Sequence, residues 1–155
     1  MQNNGKNPYP KFAAMLVVAT LVMFGLMYLN TFQMNHVFFS QTRAWMALIM
    51  GTAMVPIMLG FMPMMYPDRK ANAAILAASV LVFCLALYLV RSQATVDDVS
   101  YMKSMIPHHS IAILTSERAH IRDPRVRKLA DGIIETQRRE IGEMKSLIEE
   151  IGSEK

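Results

Sequence analysis

Apolar positions follow two different patterns along this chain. Over the first ninety residues they form three long runs almost free of charge: FAAMLVVATLVMFGLMYL, AWMALIMGTAMVPIMLGFMPMMY and ANAAILAASVLVFCLALYLV. A helix needs about 20 mostly apolar residues to cross the hydrocarbon core of a bilayer, more than a buried helix of a soluble domain requires. The runs predict three transmembrane helices at about residues 12–29, 44–66 and 71–90, in a membrane domain over residues 1–91. Lys6 and Lys11 ahead of the first run would also suit a signal peptide. No small-x-small cleavage pattern follows them, however, and the run outlasts a signal core, so an uncleaved anchor is expected.

Past residue 90 the apolar positions recur every three or four residues. The stretch RSQATVDD is a polar joint in which Thr95, Asp97 or Asp98 can cap a new helix. That helix runs to about residue 121, where Asp123 suits an N-cap and Pro124 the first position of the next helix. A second helix over about 124–151 carries Val126, Leu129, Ile133, Ile134, Ile141, Met144, Ile148 and Ile151 on one stripe. The fold class is all-α: three spans followed by a helical hairpin over 95–151. Two helices cannot enclose a core alone, so pairing with a second copy into a four-helix bundle is the simplest completion, and docking on the membrane portion is the other.

Charge adds an orientation. The formal net charge is +4, yet from Thr95 onward ten Lys and Arg oppose eleven Asp and Glu, so the basic excess flanks the spans and nucleic acid is not expected as a partner. Lys6 and Lys11 precede the first span and Arg69 with Lys70 follow the second, whereas the first loop offers only Arg43. The positive-inside rule then puts the amino terminus in the cytoplasm and the tail outside, with Arg91 pulling weakly the other way. The single cysteine, Cys84, lies inside the third run and excludes a disulfide framework.

The stretch YMKSMIPHHS at 101–110 concentrates candidate chemistry. On a helical projection Met102 falls about 20° from His109 and Met105 about 40° to its other side, on the face that carries Ile106 and Ile113. That face points toward the second helix where it presents Met144. His108 lies about 100° away, and a bend at Pro107 would turn it inward. Thioether and imidazole together suit Cu(I), and by the same softness Ag(I), rather than zinc, magnesium or calcium. In an oxidising compartment they also escape the disulfide formation that disables a thiolate site. The expected ligands are Met105, His108 and His109, joined by Met102 and Met144. The alternative is that the methionines fill a core gap and the histidines are only hydrogen-bonded.

The run MIPHHSIAIL followed by DPRVRKLADGIIETQRREIGEM resembles the bacterial ferritin-like family catalogued as domain of unknown function 305, which includes periplasmic copper-binding proteins. The resemblance covers about 96–151, and its motif positions are Met105, His108, His109, Gln137, Glu140 and Met144. Members often carry a further methionine in a pattern like A-I-x-M-A, where this chain has Ala112-Ile113-Leu114-Thr115-Ser116. The resemblance implies a ferritin-like helical hairpin or bundle that binds copper outside the inner membrane. Joined to the three spans, it gives the expectation of a bacterial inner-membrane protein with a periplasmic tail that buffers, sequesters or hands over copper in homeostasis or resistance, with a periplasmic copper chaperone or exporter as partner.

Other constellations stay open. Glu117 and His120 have the Glu-x-x-His spacing of di-iron bundles, with Glu140 and Glu143 as facing carboxylates. Met46, Met50, Met54, Met58 and Met62, then Met64 and Met65, form a row through the second span that could pass Cu(I) as a transporter or simply pack around Pro56 and Pro63. Met34 and His36 in the first loop could complete or feed the tail site. A tail that is only a dimerisation module is a further reading. No nucleophile elbow or Gly-rich phosphate loop is present, and an enzyme is not expected.

Overall fold

The computed structural model describes residues 7–153; Lys6, used above for orientation, lies outside them. Five α-helices follow one another: α1 (Tyr9–Leu26), α2 (Gln41–Phe61), α3 (Arg69–Ser92), α4 (Asp98–Arg118) and α5 (Pro124–Ser153), with a short 3-10 turn at Met34–His36 between the first two. No strand occurs among the described residues. The all-α class is therefore observed, and α1, α2 and α3 are each long and apolar enough to cross a membrane.

Local chemistry sets the ends. Helix α2 stops at Phe61 rather than near residue 66, because the residue before Pro63 is pushed out of the helical region. Asp68 then restarts the chain, its carboxylate accepting the amide hydrogens of Lys70 and Ala71 at 2.9 and 3.1 Å. Of the caps considered for α4, Asp97 is used and accepts from the Ser100 amide at 2.7 Å. Asp123 accepts from the Arg125 amide at 2.8 Å, and Pro124 opens α5 as its sequence position implies.

The chain forms two compact units, which do not divide it simply at the polar joint. One comprises the described residues up to Leu26 with Thr42–Ala94, and the other joins Met27–Gln41 to the tail from Thr95 onward. In the first unit Phe12, Val55 and Tyr66 are buried together, with the Phe12 and Tyr66 rings edge-to-face at 5.2 Å. Helices α1 and α2 meet at Gly51, where any Cβ would collide with the Thr20 side chain. The hydroxyls of Thr20, Thr52 and Ser79 all bond to carbonyls of their own helices.

The second unit is the hairpin of α4 and α5 plus the loop between α1 and α2. Ile106, Ile113 and Ile141 form its buried centre, flanked by Ile134, Met144 and Ile148 of α5 and by Phe32 and Phe38 of the loop. Three serines of α4 fasten that loop. Ser100 Oγ accepts from Gln41 at 3.3 Å, Ser104 Oγ accepts from Ser40 at 3.0 Å, and Ser110 Oγ accepts from the Phe32 amide at 2.7 Å. One flank of the hairpin is thus covered by the chain's own first loop.

Candidate metal centre

Steps of three and four along α4 put Met102, Met105 and His109 on one side of the helix, and a step of four on α5 does the same for Glu140 and Met144. The antiparallel hairpin sets Met105 level with Met144 and His109 level with Glu140. All five line one groove between the helices, a cavity of about 480 Å³ whose rim also carries Asp98 and Glu143. Met102 is buried and Met105 and Met144 are half-buried.

His109 is 9% exposed. Its Nε2 lies 2.8 Å from Glu140 Oε2, whereas Nδ1 is buried with no hydrogen-bond partner. His108 is exposed and does not line the groove; its ring stands edge-on to that of His109 at 6.3 Å between centroids. Pro107 is buried inside α4, but the inward turn of His108 expected from a bend there is not observed. Four of the five expected ligands are therefore brought together and the fifth stands outside. Glu140, a motif position and a candidate carboxylate of the di-iron alternative, is instead the partner of His109. A hairpin register that pairs Met105 with Met144 would have pointed to it.

The remaining candidates fall elsewhere. Glu117 is ion-paired with Arg138, and α4 ends at Arg118, so His120 lies beyond the helix and the Glu-x-x-His spacing has no helical turn behind it. No group of three or more His, Cys, Asp or Glu that could hold a metal occurs among the described residues. In α2, Met46 is exposed and Met50, Met54 and Met58 are half-buried, while Met62 follows the end of the helix. Met34 is 86% exposed.

His36 is buried, its Nδ1 3.0 Å from Ser110 Oγ, the same hydroxyl that accepts from Phe32. Loss of water around the ring, and secondarily the Lys145 charge, hold its pKa below the ordinary value. Above about pH 6.5 the imidazole is neutral both docked and released, so its contribution to docking is complete. As pH falls, the released state takes the proton first and the docked loop loses stability, until the lowered pKa is passed. Protection of the Phe32 amide against hydrogen exchange, corrected for the intrinsic rate, should decline from pH 7.5 to 5 in the native chain and stay flat in His36→Gln.

The family model described as domain of unknown function (DUF305) matches residues 98–155, the stretch that carries α4, α5 and every residue of the groove. The uncharacterized protein L153 of Acanthamoeba polyphaga mimivirus is 38% identical over 104 residues, covering 63% of this chain and 68% of that protein. The chain belongs to the DUF305 family. Likeness to the mimivirus protein is longer than the DUF305 match itself, so it reaches into residues ahead of the tail. No solved structure matches this DUF305 protein.

Proposed function

We propose that this DUF305 protein is a membrane-anchored Cu(I)-binding protein that buffers, sequesters or hands over copper, and Ag(I) by the same chemistry, on the periplasmic side of a bacterial inner membrane. The observation that carries the reading is the groove of α4 and α5, which three methionines and a buried histidine line together. Hard ions need several oxygen or nitrogen ligands, and no cluster of three His, Cys, Asp or Glu that could hold one occurs among the described residues. Here the donor set is completed by sulfur, which favours a monovalent coinage metal. Met102, Met105, His109 and Met144 are the proposed ligands, and the rim carboxylates Asp98 and Glu143 draw cations toward them.

Two further features fit an anchored tail. The first loop packs on the tail, which requires both on one side of the membrane, and the two spans α2 and α3 between them bring the chain back to the side it left. Lys11, Arg69 and Lys70 flank the opposite ends and favour the cytoplasm there. Val126, Leu129, Ile133 and Leu147 remain exposed along α5, an apolar edge that suits a second copy and completion of a four-helix bundle. A copper chaperone or exporter would be the exchange partner, and no substrate chemistry is required.

The test is competition between Cu(I) and Zn(II) for the full chain in detergent, since a tail fragment would lack the Phe32 and Phe38 flank. Cu(I) is expected to displace zinc completely at equal concentration. Zinc held in preference to cuprous ion would end the proposal.

A further inference from the structure

Histidine can offer a metal either ring nitrogen, and in this groove the two are not equivalent. Nε2 of His109 faces Glu140 Oε2 at 2.8 Å. A carboxylate accepts and has no proton to give, so the hydrogen of that bond belongs to Nε2. The neutral ring then carries its lone pair on Nδ1, the nitrogen that is buried and has no donor facing it. A buried polar atom left unpaired is uncommon in a folded protein and calls for a reason.

We infer that His109 presents Nδ1, not Nε2, to the metal, and that Glu140 is the positioning residue that selects this nitrogen by holding the Nε2 hydrogen. The inference rests on the copper-binding reading above and deepens it by naming the donor atom. Side chains on a helix lean toward its amino terminus, so the His109 ring extends over the turn that carries Met105, with Met102 next along the same groove. Metal-bound histidines usually donate their other ring hydrogen to a carboxylate or carbonyl, which fixes the ring and pushes electron density onto the coordinating nitrogen. Glu140, with 40% of its side chain exposed, keeps contact with water while its bonded oxygen reaches the buried ring. It therefore holds the ring from outside and leaves the interior to sulfur and Nδ1.

Two measurements on the full chain in detergent test this. In protein carrying 15N-labelled imidazoles, with the His109 signals identified by their absence from His109→Ala, Nε2 should bear the proton before metal is added. Ag(I), a closed-shell probe, should then shift Nδ1 strongly and leave Nε2 protonated. In parallel, Glu140→Leu should lower Cu(I) affinity about 10- to 100-fold, while Glu140→Gln, whose carbonyl still accepts from Nε2, should recover most of it. Thermal unfolding without metal checks that both variants remain folded.

Coordination through Nε2, or wild-type affinity in Glu140→Leu, overturns the assignment and leaves copper binding standing. A chain that binds Cu(I) while His109 is unmoved has the same consequence. A chain that binds no Cu(I) in competition removes both.

Discussion

Replacing Met105 by leucine and His109 by alanine in one chain is expected to lower Cu(I) affinity by more than about a hundredfold, at least about 2.7 kcal/mol. These positions supply one thioether and the imidazole of the four donors proposed for the groove, and they lie one helical turn apart. Leucine keeps the volume and apolarity of methionine, so it removes sulfur while leaving the packing of α4 nearly intact. Alanine at 109 removes the ring and with it the Glu140 bond. Half the donor set cannot hold a cuprous ion as the whole does, because Met102 and Met144 alone would leave two coordination positions to water.

Competitive titration with a Cu(I) indicator measures the change. Met34→Leu is the control: the same substitution at a side chain 86% exposed in the loop should leave affinity unaltered. Equal affinity in wild type and double variant would show that the groove is not where copper sits.

The largest structural effect is expected at Ile113. Its side chain is 0% exposed and joins Ile106 and Ile141 at the centre that the loop residues Phe32 and Phe38 also cover. Ile113→Ala should cost about 2–5 kcal/mol, because a cavity remains where α4, α5 and the loop meet, whereas Ile113→Val should cost about 0.5–1.5 kcal/mol. Unfolding of the full chain in detergent, followed by loss of Phe32 amide protection, reads both. The groove lies on the neighbouring side of the same helix, so metal affinity should fall with stability in the alanine variant. An alanine variant no less stable than the valine one would mean that this centre does not hold the tail together.

Much of the molecule follows from local pattern. Charge-free runs long enough for a bilayer give α1, α2 and α3 within a few residues, because a helix satisfies its own backbone and needs only apolar side chains around it. Asp97 and Asp123 set the starts of the tail helices through bonds two or three residues away, and Pro124 opens α5 with its fixed backbone angle. The gathering of Met102, Met105 and His109 was equally legible, since steps of three and four fix one side of a helix whatever surrounds it. The Glu-x-x-His spacing of Glu117 and His120 also assumed a continuous helix, and it failed because α4 ends at Arg118. Helix termini depend on capping as much as on periodicity.

Contacts between distant segments were decided only by the tertiary structure. The Phe32 amide and Ser110 are 78 positions apart, and nothing in a loop of ordinary composition announces that it covers a hairpin. Pairing of His109 with Glu140, and exposure of His108 beside it, arise where α4 and α5 pack at one register. Periodicity tells which side chains share a face of one helix. Which face meets which neighbour is set by the apolar area and hydrogen bonds gained in the whole unit, and that balance is not written in any single stretch of sequence.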